Sequence, residues 1–95
     1  MVPDLSQING IAEYATKKEK ERTLYYKNEK AFLVVNAHTI EIRCDEKLSQ
    51  LLTSKYETVM ESRYFGRGGI EIVPAGQLGE DEISDLIRLS YNLTD

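Results

Sequence analysis

The stretch Thr39-Ile40-Glu41-Ile42-Arg43-Cys44-Asp45-Glu46 decides the fold of this 95-residue chain. From Ile40 to Cys44 apolar and charged side chains alternate, which is typical of a strand with one buried face and one face toward water. Asp45 ends the alternation and can cap a helix, with Glu46 in the favourable first turn. A half-buried strand followed at once by a capped helix predicts a sheet with helices packed on one side.

The segments around this stretch complete the sheet. Apolar runs before and after it are separated by short polar breaks, and such short connections imply antiparallel hairpins. Leu48, Leu51 and Leu52 form the apolar stripe of the central helix, which ends near Ser54 or Lys55. Three glycines in residues 66–69 indicate a turn with positive φ angles or a tight bulge. The predicted strands cover residues 23–27, 31–35, 39–44, 58–64 and 69–73.

Both ends of the chain are predicted to be helical. Apolar residues between Pro3 and about Lys20 recur at helical spacing, and the acidic triplet Glu80-Asp81-Glu82 suits the start of a last helix. The element order is therefore α-β-β-β-α-β-β-α. This order predicts an α+β two-layer sandwich, in which helices cover one face of a five-stranded antiparallel sheet.

Length and composition place the chain among small globular proteins. Residues 1–95 suffice for one domain, and 41% hydrophobic with 29% charged residues is an ordinary globular balance. No apolar run reaches the ~20 residues of a membrane span. One cysteine and no signal peptide favour the cytoplasm. The net charge of −4 argues against a surface that binds nucleic acid throughout.

Several short motifs in a fixed order resemble the MmcQ/YjbR family of small bacterial proteins. The first is the strand-to-helix junction 42–46 with the leucines that follow it. The others are Lys55-Tyr56, residues 64–67, and the last helix from Asp81-Glu82-Ile83 to Ser90-Tyr91-Asn92-Leu93. The resemblance covers about residues 22–95. It implies a CyaY-like, secretion-chaperone-like fold and a DNA-binding role. Gly68-Gly69 stand where the family usually has a Trp, and this chain contains none.

No arrangement of residues points to catalysis or to a bound metal. Cys44 and His38 lie six positions apart, which on one strand separates them by about 20 Å. They cannot act as a nucleophile and base along that strand. One cysteine and one histidine also give too few ligands for a structural zinc site. We therefore expect no enzyme activity, no cofactor and no metal.

The sheet face away from the helices is the candidate binding surface. Strand alternation predicts that it carries Tyr25, Leu33, Glu41, Arg43, Glu61, Arg63 and Glu71, with Arg67 at its edge. Such a surface can be a set of cross-strand ion pairs. It can also bind nucleic acid, with Arg43, Arg63 and Arg67 on phosphates, Tyr25 stacking and Lys55 nearby. The interleaved glutamates suit a third interpretation, a protein-interaction or adaptor domain.

Overall fold

The computed structural model describes residues 4–74 and 76–94. Within them the chain forms six strands and two α-helices, preceded by a 3-10 turn at Leu5–Gln7. The α+β class and the antiparallel sheet are confirmed. The elements are β1 Ala15–Lys18, β2 Arg22–Lys27, β3 Lys30–Asn36, β4 Ile40–Arg43, α1 Glu46–Lys55, β5 Val59–Ser62, β6 Gly66–Ile72 and α2 Glu80–Leu93.

The predicted first helix and the five-strand count are wrong. Pro3 lies outside the described residues, and the rest of the segment forms the 3-10 turn, a connection without helix or strand, and β1. Gly10 has a φ of +93°, which no continuous right-handed helix accommodates. Beyond it the polar run pairs with β2, from Ala15 opposite Tyr26 to Lys18 opposite Thr23. Strand pairing thus overrides a weak helical pattern.

The sheet has the strand order β1-β2-β3-β4-β6-β5, and every neighbouring pair is antiparallel. The helix α1 connects β4 to the edge strand β5, and the chain then returns through β6 into the gap beside β4. Asp45 caps α1 as predicted, because its carboxylate accepts a hydrogen bond of 2.9 Å from the Leu48 amide. The helix ends at Lys55, also as predicted.

Both helices pack on one face of the sheet. Ile83, Ile87 and Tyr91 of α2 lie in one buried cluster with Ile40 and Ile42 of β4. Apolar residues of α1 pack against the same cluster, and its Ser49 donates a hydrogen bond to the Gly69 carbonyl. The main core is therefore on this side, which we call the helix face.

A bulge in β3 changes which side chains reach the helix face. Tyr25 pairs with Leu33 but Tyr26 pairs with Ala31, so Phe32 is the extra residue. Phe32 and Leu33 both enter the core, and Tyr25 packs against it. The prediction that Tyr25 and Leu33 face away from the helices is therefore wrong. Alternation cannot show a bulge, which shifts every residue on one side of it.

Candidate functional site on the open sheet face

The face opposite the helices, here called the open face, carries one continuous cross-strand row. Each residue of the row is paired with the next in the sheet register, so the row crosses all six strands. In spatial order it is Lys17, Leu24, Val34, Glu41, Glu71 and Met60. Its centre is buried: Leu24 is 2% exposed, Val34 0%, Glu41 2% and Glu71 3%. Within the described residues no helix lies on this face, so another element must cover it.

The turn between β5 and β6 provides that cover. Residues 63–65, here called the strap, fold back over the open face. The Tyr64 amide donates 2.8 Å to Glu41 of β4, and the Tyr64 ring lies beside Arg22 of β2, 5.3 Å from ring centre to guanidinium carbon. Tyr64 thus reaches from β4 to β2, across the part of the row that holds Val34 and Leu24. Burial raises the pKa of the Tyr64 hydroxyl, and the neighbouring Tyr26 raises it further.

Glu41 fastens the strap without any cation. One carboxylate oxygen accepts from the Ser62 hydroxyl at 2.7 Å and from the Tyr64 amide at 2.8 Å. The other accepts from the Asn36 amide at 2.9 Å. All three donors are neutral, and a buried carboxylate needs several such donors to remain in place.

Glu71 holds the strap through a charged partner. Arg63 donates to its two oxygens, from Nε at 3.0 Å and from Nη2 at 2.7 Å, and Thr39 donates at 2.7 Å. Burial raises the pKa of the Glu71 carboxyl, but the bonds from Arg63 and Thr39 outweigh it and leave the pKa below the ordinary value. Asn36 also donates to Thr39, so one chain of hydrogen bonds joins both carboxylates to the strap.

Phe65 anchors the other side of the strap. Its side chain occupies the space above Gly69, where an added Cβ would lie 2.5 Å from the Phe65 Cβ. The Arg43 guanidinium carbon lies 5.1 Å from the centre of the Phe65 ring, while Arg43 Nε donates 2.9 Å to the Ala31 carbonyl. Gly66 follows with a φ of +63°, a conformation that glycine adopts at little cost. The glycine-rich segment is thus the start of β6, and the turn precedes it.

An open concavity of about 1490 Å³ lies at the end of the sheet, next to the strap. The β1–β2 turn and the β3–β4 turn form its walls, and Arg63 and Tyr64 border it on the open face. Its outer lining includes Lys18, Lys20, Glu21 and His38, all exposed. We call this feature the end concavity.

The structure does not bring the predicted binding residues together. Arg43 and Arg63 lie on the open face, each engaged as described above. Tyr25 is half-buried against Phe32, with ring centres 6.5 Å apart. Arg67 lies beside α1 with Glu61, which pairs with core residue Ile70 and so is on the helix face, not the open face as predicted. Lys55 ends α1, and its ammonium lies 5.3 Å from the centre of the Tyr56 ring.

Sequence reasoning missed the lysines of the end concavity. Lys18 and Lys20 belong to the charged run 17–22, where the predicted first helix, from Pro3 to about Lys20, would have ended. In the structure this run is the β1–β2 hairpin, closed by a 2.8 Å bond from the Glu19 amide to the Arg22 carbonyl. The signal that could have identified the hairpin is Gly10, which weakens a helix at that point.

The chain is similar in fold to a crystal structure of a Pseudomonas syringae protein determined by the Northeast Structural Genomics Consortium. The match has a TM-score of 0.73 and covers 86% of this chain and 87% of that chain, at 17% sequence identity. At this identity the likeness shows the fold alone. Neither a protein-family model nor a curated protein sequence matches the chain.

Two further features bear on chemistry at the site. Within residues 4–74 and 76–94, no group of three or more His, Cys, Asp or Glu side chains could hold a metal ion. The helices of the same residues are too short or too polar to span a membrane. Cys44 is buried, and burial, with a smaller contribution from Asp45, raises the pKa of its thiol to about 11. The thiol is therefore a poor nucleophile at neutral pH.

Proposed function

We propose that this chain is a protein-interaction domain that binds a segment of its partner in the end concavity. The observation that carries the proposal is the contrast between the concavity and the face beside it. On the open face the charged groups are already satisfied by the strap. In the concavity Lys18, Lys20 and His38 are exposed on two turns that enclose a large open space. Concave surfaces are the ordinary places for a ligand, and a few polar groups there give specificity.

The positions of the arginines weigh against the DNA-binding role that the MmcQ/YjbR resemblance implies. Arg43 donates to a backbone carbonyl, and Arg63 forms a two-bond pair with Glu71. Arg67 lies on the helix face, so the three cannot follow one phosphate backbone. Binding to nucleic acid needs several cations along a continuous path, because affinity comes largely from neutralised phosphates.

A photo-cross-linking amino acid in place of His38 tests the proposal in living cells. His38 is exposed on the β3–β4 turn inside the concavity. The matched control is the same amino acid in place of Lys47, which is exposed on α1, on the helix face of the sheet. We expect a discrete protease-sensitive adduct from position 38 and none of that size from position 47.

Two results would contradict the proposal. The first is the absence of any adduct at position 38 when the variant is folded and expressed. The second is an adduct at position 38 that nuclease removes and protease does not, which would restore the DNA-binding interpretation.

A further inference from the structure

We propose that the strap is an acid-sensitive lid, which opens when Glu41 and Glu71 take up protons while the rest of the fold stays intact. The lid would act whether or not the end concavity binds a partner. Glu41 of β4 is the direct cross-strand partner of Glu71 of β6, and both residues are buried, 2% and 3% exposed. Like charges opposite each other in a sheet repel, so both carboxylates need donors that offset the repulsion.

The strap supplies many of those donors. Within the described residues the two carboxylates accept six hydrogen bonds, and three of them come from the strap: one from the Tyr64 amide to Glu41 and two from Arg63 to Glu71. The others come from Asn36, Thr39 and Ser62. The carboxylates therefore hold the strap, and the strap in turn stabilises their charged forms.

Protonation removes the contacts that close the strap. One oxygen of Glu41 accepts from both Ser62 and Tyr64, so a proton on this oxygen competes with both donors. Burial raises the pKa of the Glu71 carboxyl, but the bonds from Arg63 and Thr39 outweigh it and keep the pKa below 4.5. By linkage, the bonds that lower this pKa are weakened as the pH falls from about 5 through the folded pKa.

The other groups around the two carboxylates do not replace the strap. Among the described residues, Arg63 is the one cation bonded to either carboxylate. Arg22 of β2 is bound by Glu19 at 2.7 Å, which is the main reason that the pKa of Arg22 is raised, and Glu41 makes the smallest contribution. His38, on the β3–β4 turn, is exposed and takes part in no ion pair of residues 4–74 and 76–94. The remaining neighbours carry no charge: Val34, Asn36, Thr39, Met60 and Ser62.

The strap can move without the strands because both of its ends are irregular. The β5–β6 register shifts between Glu61 and Ser62, and Gly66 has a φ of +63°, a region that glycine enters and leaves at little cost. The helix face is held by apolar packing, which protonation of the open face does not alter. Opening exposes Leu24 and Val34 to water, and this cost keeps the strap closed at neutral pH.

Amide hydrogen exchange of the unchanged chain, followed by NMR between about pH 6 and pH 3, tests the lid directly. Protection factors corrected for the intrinsic pH dependence of exchange report opening residue by residue. We expect the protection of the Tyr64 amide, which donates to Glu41, to fall by about tenfold or more on acidification. Amides of β3 and α2 should change by less than about threefold over the same range.

A double variant imitates the protonated pair at every pH. In Glu41→Gln/Glu71→Gln the Tyr64 amide should be as weakly protected at about pH 6 as it is in the unchanged chain at about pH 3, and it should no longer respond to acid. Glu46→Gln/Glu61→Gln removes the same number of charges at two exposed positions on the helix face and should keep the acid response. If the first variant does not fold, the titration of the unchanged chain still decides.

Three results would overturn the proposal. If protection falls together at the strap and in β3, acid unfolds the whole chain and there is no separate lid. If the Tyr64 amide stays protected down to about pH 3 in a folded chain, the protonated carboxyls still hold the strap. If the double variant has a closed strap that acid opens, the titrating group is neither Glu41 nor Glu71.

Discussion

The two faces of the sheet are covered in different ways. On the helix face, Ile40, Ile42 and Ile70 meet the apolar stripes of two helices, and burial is the main stabilising term. On the open face, three strap residues cover a row whose centre is half apolar and half acidic. On this face the position of the strap depends on hydrogen bonds to the carboxylates of Glu41 and Glu71. Hydrophobic packing is tolerant of detail, whereas a buried polar network is stable in only one arrangement.

This difference explains how the end concavity, our proposed partner site, can stay open beside a covered sheet face. The strap covers only the centre of the open face and places Arg63 and Tyr64 at the border of the concavity. The network therefore fixes the groups that a partner would meet.

Replacing one buried leucine on each face by alanine compares the stability of the two faces directly. Leu33 is 0% exposed in the main core, and Leu24 is 2% exposed beneath the strap. Leu33→Ala should lower the free energy of unfolding by about 4–5 kcal/mol, at the upper end of the usual range, because two layers cannot collapse onto the cavity. Leu24→Ala should cost about 2–3 kcal/mol, since the strap can move inward. Urea unfolding of both variants measures the two costs, and equal costs would show that the strap packs as rigidly as a helix.

Substitution of a glycine in β6 should have the next largest effect on the free energy of unfolding. An added Cβ at Gly69 would lie 2.5 Å from the Phe65 Cβ and 2.9 Å from the Ile42 carbonyl oxygen. Gly69→Ala should therefore displace Phe65 and destabilise the fold by about 1–3 kcal/mol. Gly68→Ala is the control, because its nearest neighbour would be the Phe65 carbonyl oxygen at an ordinary 3.6 Å. Thermal unfolding should separate the two variants, and a stable Gly69→Ala would disprove the close approach of the strap.

Local patterns of the sequence predict the helix face well. The alternation around Ile42, the Asp45 cap and the acidic start of α2 each depend on residues close in sequence, and each lies where predicted. Two buried serines show the limit of such patterns. Ser90 donates 2.7 Å to the carbonyl of Phe32, the extra residue of the bulge, and Ser49 donates 3.0 Å to the Gly69 carbonyl. Neither partner can be inferred from spacing.

The open face was predicted less well because it depends on contacts between distant residues. Next to the β3 bulge, Leu33 lies on the helix face and Val34 on the open face. Their partners on β2, Tyr25 and Leu24, lie on the same faces as they do. A second irregularity, between Glu61 and Ser62, accompanies the return of the chain over the sheet. Alternation placed Glu41 and Glu71 on this face correctly, but it could not show that a turn would bury them. Their burial comes from the strap, whose path is set by Gly69 and the carboxylates together.

Replacement of Glu41 by an isosteric amide tests the polar network. In Glu41→Gln one of the two positions becomes an NH₂ group, which cannot accept from Asn36 on one side or from Ser62 and Tyr64 on the other. The loss should be about 1–2 kcal/mol, and hydrogen exchange at the Tyr64 and Phe65 amides should accelerate more than in β3. Glu61→Gln makes the same exchange at an exposed position of β5 on the helix face, and it should leave both measurements unchanged. If hydrogen exchange accelerates equally at the strap amides and at the β3 amides of Glu41→Gln, the network stabilises the whole fold and not the strap alone.

The smallest expected effect concerns pH and the pair of Arg63 with Glu71. The pKa of folded Glu71 lies below its ordinary value of 4.5, so the carboxylate stabilises the fold above that pH. This contribution is lost as the pH falls from about 5 through the folded pKa, because protonation removes the pair. Arg63→Gln removes the cation and leaves Glu71 opposite Glu41, which disfavours its charged form. Urea unfolding between about pH 3 and pH 6 should then show that Arg63→Gln loses less stability on acidification than the unchanged chain.

Arg67→Gln, on the helix face, is the control and should keep the pH profile of the unchanged chain. Parallel profiles for all three chains would mean that Arg63 holds the strap by its hydrogen bonds alone and that its charge contributes nothing.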